Sequence, residues 1–112
     1  MANAIRFYTA GGPEVLRFEA VDVPAPAPGE VLVRHTAIGL NYIDTYHRSG
    51  LYPVPLPSGL GLEAAGVVEA VGEGVRNFAV GQRVAYGRGP LGAYSEQRVI
   101  AAKELIPLPD GV

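Results

Sequence analysis

Pro57-Ser58-Gly59-Leu60-Gly61-Leu62-Glu63-Ala64-Ala65-Gly66-Val67-Val68-Glu69-Ala70-Val71 is the stretch on which the fold turns. Its glycines superficially match a dinucleotide-binding fingerprint. Such a cradle needs the glycines between a strand and a helix, so that the helix N-terminus meets the phosphates. Here the glycines precede a run of small and β-branched residues, Ala65 to Val71, which reads as a strand. The stretch is therefore a loop feeding a strand and not a phosphate cradle.

Working outward, Gly72-Glu73-Gly74 breaks that strand before a further one over Val75 to Val80, and Arg83 to Tyr86 reads as the next. Gly87 to Gly92 is turn-rich, Gly92 to Ala102 supplies one more strand, and Leu105 to Pro109 leads outward. Toward the N-terminus, Leu51 to Gly61 carries three prolines and two glycines and is a long ordered loop of the kind that bears functional residues. Asn41 to Arg48 is the convincing helical segment, capped by Asn41 and ended by Gly50. Glu30 to Ile38 alternates with mixed residues on both faces, as in a curved sheet or barrel. Ala4 to Thr9 and Val15 to Val21 form a hairpin-like pair around Gly11-Gly12-Pro13, and Val23 to Gly29 is a proline-stiffened connector. The whole is mostly β, with six to eight short strands and one or two helical turns.

Composition agrees with many tight turns around a real core. Gly (15) and Pro (10) are abundant in the 112 residues, yet 48% are apolar, so neither collagen nor low-complexity disorder fits. The chain lacks cysteine, which excludes disulfides, a thiol nucleophile, iron–sulfur clusters and Cys-ligated zinc. A formal net charge of -2 without a Lys/Arg cluster argues against nucleic acid as a partner. No stretch approaches 18 consecutive apolar residues, and Met1-Ala2-Asn3 does not begin a signal peptide, so no membrane partner and a cytoplasmic address are expected.

The sharpest constellation is Gly39 to Arg48. On a helix, Asn41, Asp44, Thr45 and Arg48 share one side, presenting an amide, a carboxylate, a hydroxyl and a guanidinium. That face suits a polar substrate. The same spacing equally describes a cap at Asn41 with Asp44 and Arg48 as an ordinary i, i+4 pair. Tyr42, Tyr46 and Tyr52, with Tyr86 and Tyr94 later, offer ring faces and phenolic donors to a flat conjugated ligand, or simply pack. His35 and His47 have no serine or carboxylate partner at a catalytic spacing and read as structural. Glu63, partly buried between loop and strand, needs a partner, for which Arg83 is the candidate in a structural ion pair.

Four segments in this order resemble the N-terminal catalytic domain of the medium-chain dehydrogenase/reductase superfamily, specifically its zinc-free quinone oxidoreductase branch, which includes the zeta-crystallins. They are Gly11-Gly12-Pro13-Glu14-Val15-Leu16, the stretch from Gly39 through Tyr52, Pro57 through Val68, and Val80-Gly81-Gln82-Arg83-Val84. The resemblance spans essentially the whole chain. It implies a GroES-like, partly open β-barrel with short helices, normally followed by a Rossmann domain that carries NADPH and makes a homodimer.

In the zinc alcohol dehydrogenases of the superfamily, a cysteine stands where this chain has Asn41 and a histidine where it has Leu62. Both replacements remove metal donors, so the resemblance implies a metal-free site. It further implies that Asn41, Asp44 and Tyr46 line or support the nicotinamide-facing cleft, and that Tyr46, Arg48 and Tyr52 face the substrate. Tyr52, with Asn41 and Asp44, is the expected catalytic group, donating a hydrogen bond to a quinone oxygen as charge develops. The implied reaction is transfer of reducing equivalents from NADPH to a quinone or an α,β-unsaturated carbonyl. Residues 1–112 are then the substrate-side domain, ending where the coenzyme domain would begin, and this stretch alone is expected to turn over little. A freestanding GroES-like binding or assembly module, or an inactive remnant, are the competing readings.

Overall fold

The computed structural model describes residues 2–112. In chain order it contains β1 (Ala2–Phe7), a 3-10 turn (Pro13–Val15), β2 (Arg17–Val21), β3 (Glu30–Ile38), α1 (Tyr42–Ser49), β4 (Ser58–Gly59), β5 (Ala64–Val71), β6 (Arg83–Tyr86), β7 (Gln97–Ala101), a second 3-10 turn (Ala102–Glu104) and β8 (Ile106–Pro107). Every pairing is antiparallel, in a three-stranded sheet β2-β1-β4 and a five-stranded sheet β7-β3-β5-β6-β8. The two sheets do not close on each other. They meet through an Ala4–Ser95 bridge and a hydrogen bond from the Ile5 amide to the Tyr94 carbonyl at 2.8 Å.

β3 is the centre of the larger sheet, and its alternation decides where the core lies. Val31 and Val33 point inward and are fully buried, meeting Val68 of β5, Val84 and Tyr86 of β6, and Ile100 of β7. Phe78 and Leu105 belong to the same cluster. The apparent mixing of β3's faces comes from two register shifts against β5, between Leu32 and Val33 and between His35 and Ala37. Each shift lets one residue bulge, bending the sheet around the core. Gly66 sits opposite His35 where the strands approach closely: a Cβ there would lie 2.9 Å from both the Arg34 carbonyl carbon and Val33 Cγ1.

Three expected elements are different. Residues 75–80 form turns and not a strand, because the Val75 amide bonds back to Gly72 while Gly81 and Gln82 pair with Val68. Of that run Phe78 is buried in the core, with half-buried Val75 packed against it. The strand expected over Gly92 to Ala102 is confined to Gln97–Ala101, since Gly92, Ala93 and Tyr94 donate their amides to Gly61 and Leu60 and cannot join a ladder. Finally, Pro13 starts a 3-10 turn through Val15, which delays β2 to Arg17.

Candidate functional site

Helix α1 begins where β3 ends. The Gly39 amide donates to the Glu63 carbonyl at 3.1 Å, pinning the helix entry to the start of β5. Asn41 is the N-cap, with extended φ and ψ, and its backbone N–H donates to Asp44 Oδ2 at 3.1 Å while the Asp44 N–H returns to the Asn41 carbonyl at 3.0 Å. This satisfies amides that a helix start otherwise leaves unpaired. Gly50, in the left-handed conformation, ends the helix.

The four polar residues expected on one face are not presented together. Asp44 turns inward and is only 3% exposed. Its Oδ2 also accepts a hydrogen bond from the Tyr94 hydroxyl at 2.5 Å, whereas its Oδ1 is buried without a protein partner. Burial, followed by the Asp44 acceptor and its negative charge, pushes the Tyr94 phenol well above its ordinary pKa, so it remains a donor. Thr45 Oγ1 donates to the Tyr42 carbonyl within its own helix at 2.6 Å. Arg48 does not pair with Asp44. Its Nε donates to the Gly11 carbonyl at 3.1 Å, and its own carbonyl accepts the Gly11 amide at 3.0 Å, lashing the Gly11-Gly12 loop to the helix end.

What the outer side of α1 does present is aromatic. Tyr42 and Tyr46 lie 5.6 Å apart between ring centroids, and Tyr46 meets Tyr52 edge-on at 5.3 Å. The turn after the helix sets this contact, because the Tyr52 amide donates to the Tyr46 carbonyl at 3.2 Å. Tyr52 is 51% exposed, and among the described residues the Tyr46 and Tyr52 hydroxyls form no hydrogen bond within the chain. Such a surface can take a flat ring against its π-faces and donate to its oxygens. Asn41, half-buried at the head of the same helix, adds a carboxamide.

The two later tyrosines belong elsewhere. Tyr86 is buried in the barrel, where its hydroxyl meets His35 Nε2 at 2.8 Å. His35 Nδ1 lies 2.7 Å from the Ser95 carbonyl, which can only accept. In the neutral ring the proton therefore sits on Nδ1, and Tyr86 donates to Nε2. Burial and then the nearby Arg98 charge lower the His35 pKa, offset in part by the Ser95 carbonyl. His35 is thus structurally satisfied, as expected. His47 Nδ1 is buried without a partner.

The Glu63–Arg83 ion pair does not form. Glu63 is exposed, with its side chain lying over Gly39, in the space that a Cβ there would occupy. Arg83 instead donates to the backbone carbonyls of Val112 and Pro109. Among the described residues the ion pairs are Arg6–Glu19, Arg34–Glu69 and Arg88–Glu104. Tyr94 as the partner of Asp44 was not anticipated; fifty residues separate them, and no local pattern joins them. A separate open cavity of about 610 Å³ lies between β1, β2 and the end of β3, lined by Ile5, Phe18, Ile38, Leu40 and Tyr94 among others. It does not include Asn41, Tyr46 or Tyr52.

Comparison with known proteins places these features in context. The family described as Alcohol dehydrogenase GroES-like domain matches residues 27–110. A quinone oxidoreductase of Pseudomonas aeruginosa is 61% identical over the whole chain, which spans 35% of that protein. The solved quinone oxidoreductase of Pseudomonas syringae pv. Tomato superposes with a TM-score of 0.96 at 62% identity, over 100% of this chain and 35% of that one. The Escherichia coli quinone oxidoreductase complexed with NADPH also gives 0.96, at 50% identity over 99% and 34% of the respective chains. The chain therefore spans about a third of the length of these relatives.

Proposed function

Because the chain belongs to the alcohol dehydrogenase GroES-like domain family, we propose that it is the substrate-side domain of an NADPH-dependent reductase of quinones or related α,β-unsaturated carbonyls. The observation that carries this reading is the Tyr46–Tyr52 pair with unengaged hydroxyls, half-buried Tyr46 on the helix headed by Asn41 and exposed Tyr52 in the turn after it, in a chain so similar to quinone oxidoreductases. In the proposed site Asn41 and Tyr46 orient the nicotinamide ring, Tyr46 and Tyr52 hold the flat acceptor, and Arg48 shapes the rim. Asp44, being buried, supports these groups from behind.

The nicotinamide end of the coenzyme fits this chain, and its phosphate end does not. Gly59 to Gly61 lead into an antiparallel strand, and all sheet pairings among the described residues are antiparallel, so no glycine turn opens a helix toward a pyrophosphate. The phosphate contacts are assigned to the remainder of the protein, in keeping with the longer relatives, one of which was solved with NADPH. The chemistry supplied by bound NADPH is a hydride, leaving NADP+, while a solvent proton completes the reduced acceptor. Tyr52 hydrogen-bonds the acceptor oxygen on which negative charge grows, and the aromatic face keeps water from the ring.

Zinc does not fit. Asn41 offers a neutral carboxamide and Leu62 a hydrocarbon chain, and no group of three His, Asp or Glu converges among the described residues. The whole protein is proposed to act as a cytoplasmic homodimer; no helix of the described residues is long and apolar enough to cross a membrane. The test is NADPH oxidation by the intact natural gene product with p-benzoquinone as acceptor. Tyr52→Phe is expected to lower kcat on the order of 100-fold with NADPH binding retained. Absence of quinone-dependent NADPH oxidation in the unsubstituted protein would overturn the assignment.

A further inference from the structure

Asp44 shows an imbalance that capping alone does not explain. Both of its hydrogen bonds, from the Asn41 backbone and from Tyr94, fall on Oδ2, and Oδ1 is buried with no protein partner. The two oxygens are equivalent by a half-turn, so what the phenol adds to the single backbone N–H is a second anchor that fixes the tilt of the carboxylate plane. Tyr94 is itself fixed from three sides. Its amide donates to the Leu60 carbonyl at 2.8 Å, and its carbonyl accepts the Ile5 amide at 2.8 Å. Its ring fills the space beside Gly61, where φ is +98° and a Cβ would lie 2.8 Å from Tyr94 Cε1. One residue thus joins β1 through its backbone to the turn before Leu62 and Glu63, and reaches the head of α1 through its side chain.

We propose that Tyr94 is a positioning residue of the candidate reductase site, acting through Asp44 to hold the backbone of Asn41 in place. This rests on the functional reading above only for its effect on turnover; the effect on Asn41 stands on the geometry alone. Without the hydroxyl, Asp44 Oδ2 keeps only the longer bond from the Asn41 amide and the carboxylate plane is free to tilt, so that bond weakens and the Asn41 carboxamide no longer has a fixed approach to the ring it orients. Small displacements of orienting groups lower turnover more than they lower binding of the coenzyme, most of whose contacts lie elsewhere.

The test uses Tyr94→Phe with two readouts. In the intact natural gene product, hydrogen exchange at the Asn41 amide is expected to accelerate by about 10-fold, while Val33 and Val68 in the core stay within about twofold. In the intact natural gene product, kcat for NADPH-dependent reduction of p-benzoquinone is expected to fall by about 10-fold with KM for NADPH within about twofold. Asp44→Asn, whose amide oxygen can still accept from Tyr94, is expected to keep Asn41 protected and so to rescue the exchange phenotype relative to Asp44→Leu. Unchanged exchange at Asn41 in Tyr94→Phe overturns the proposal. So does equal acceleration at Val33 and Val68, which would make Tyr94 an ordinary packing residue. Faster exchange at Asn41 with unaltered kcat overturns the catalytic half. If the unsubstituted protein reduces no quinone, the functional reading fails, and the exchange result still decides whether Tyr94 positions Asn41.

Discussion

Gly66→Ala isolates the close approach between β3 and β5. The added methyl would sit 2.9 Å from the Arg34 carbonyl carbon and from Val33 Cγ1, and nearer still to the Arg34 oxygen. Carbon–carbon contacts are comfortable at about 3.5–4.0 Å, so the strands must part by roughly 0.6–1.1 Å. Neither neighbour can step aside. Arg34 is bracketed by Val67 on one side and Gln97 on the other, and Val33 is fully buried. Overpacking of this kind costs about 1–3 kcal/mol, and rigid backbone as the obstacle puts the substitution at the upper end. Alanine restricts the unfolded chain more than glycine and returns about 0.4–1 kcal/mol. A net loss of about 2 kcal/mol remains, out of the roughly 5–15 kcal/mol that holds a domain together.

Urea unfolding followed by far-ultraviolet circular dichroism reads this loss as a midpoint lower by about 1 M at unchanged slope. Gly74→Ala is the control. With φ of +83° and nothing within 4 Å, it carries a backbone penalty of about 1–2 kcal/mol less the same entropic return, and no steric clash. A Gly66→Ala midpoint equal to or above that of Gly74→Ala would refute the close-approach argument.

Three further outcomes are expected. Phe7→Ala, at a fully buried site, should cost about 3–5 kcal/mol in the same titration, whereas Phe18→Ala, at a site 71% exposed, should stay within about 0.5 kcal/mol; similar values for the two would contradict the placement of β1 and β2. The His35 pKa is lowered in the folded chain, so the unfolded chain takes up the proton first. Its contribution to stability is complete above pH 6.5 and is lost as pH falls below that value toward the folded pKa; a stability difference between wild type and His35→Asn that does not change between pH 7.5 and 5 argues against this. Tyr86→Phe leaves His35 Nε2 without its donor and should cost about 1–3 kcal/mol, checked by thermal unfolding at pH 7.5.

Most of the scaffold was legible in sequence because its signals are local. Pro28-Gly29 and the alternation after it fix β3 at Glu30–Ile38, and Asn41, Asp44 and Gly50 mark α1 to within a residue. Residues 75–80 were misread because apolar content alone suggested a strand, whereas the Val75 amide turns back to Gly72 and Ala79 is engaged by Gln82. The same distinction governs the site. The crowding of Tyr42, Tyr46 and Tyr52 is a one-dimensional signal and survives as a real aromatic cluster. Helical spacing put Asp44 and Arg48 on one side, but could not tell that Asp44 would be drawn inward by a tyrosine fifty residues later or Arg48 toward the Gly11 carbonyl. The Glu63–Arg83 pairing failed likewise, since partner choice between distant residues is set by the closed fold.

The central place of β3 also has a consequence for how the chain is made. β3 finds its first neighbour in the strand that ends at Val71 and its second only in Gln97–Ala101. As the polypeptide leaves the ribosome, β3 and β5 can pair while the opposite edge of β3, at Val31 and Val33, waits for some thirty more residues to emerge. During that interval an apolar, unprotected strand edge faces solvent or a neighbouring nascent chain, the circumstance in which β-rich proteins mispair. The last strand of the larger sheet to take its place on β3 therefore serves as a guard against aggregation as well as a wall of the barrel.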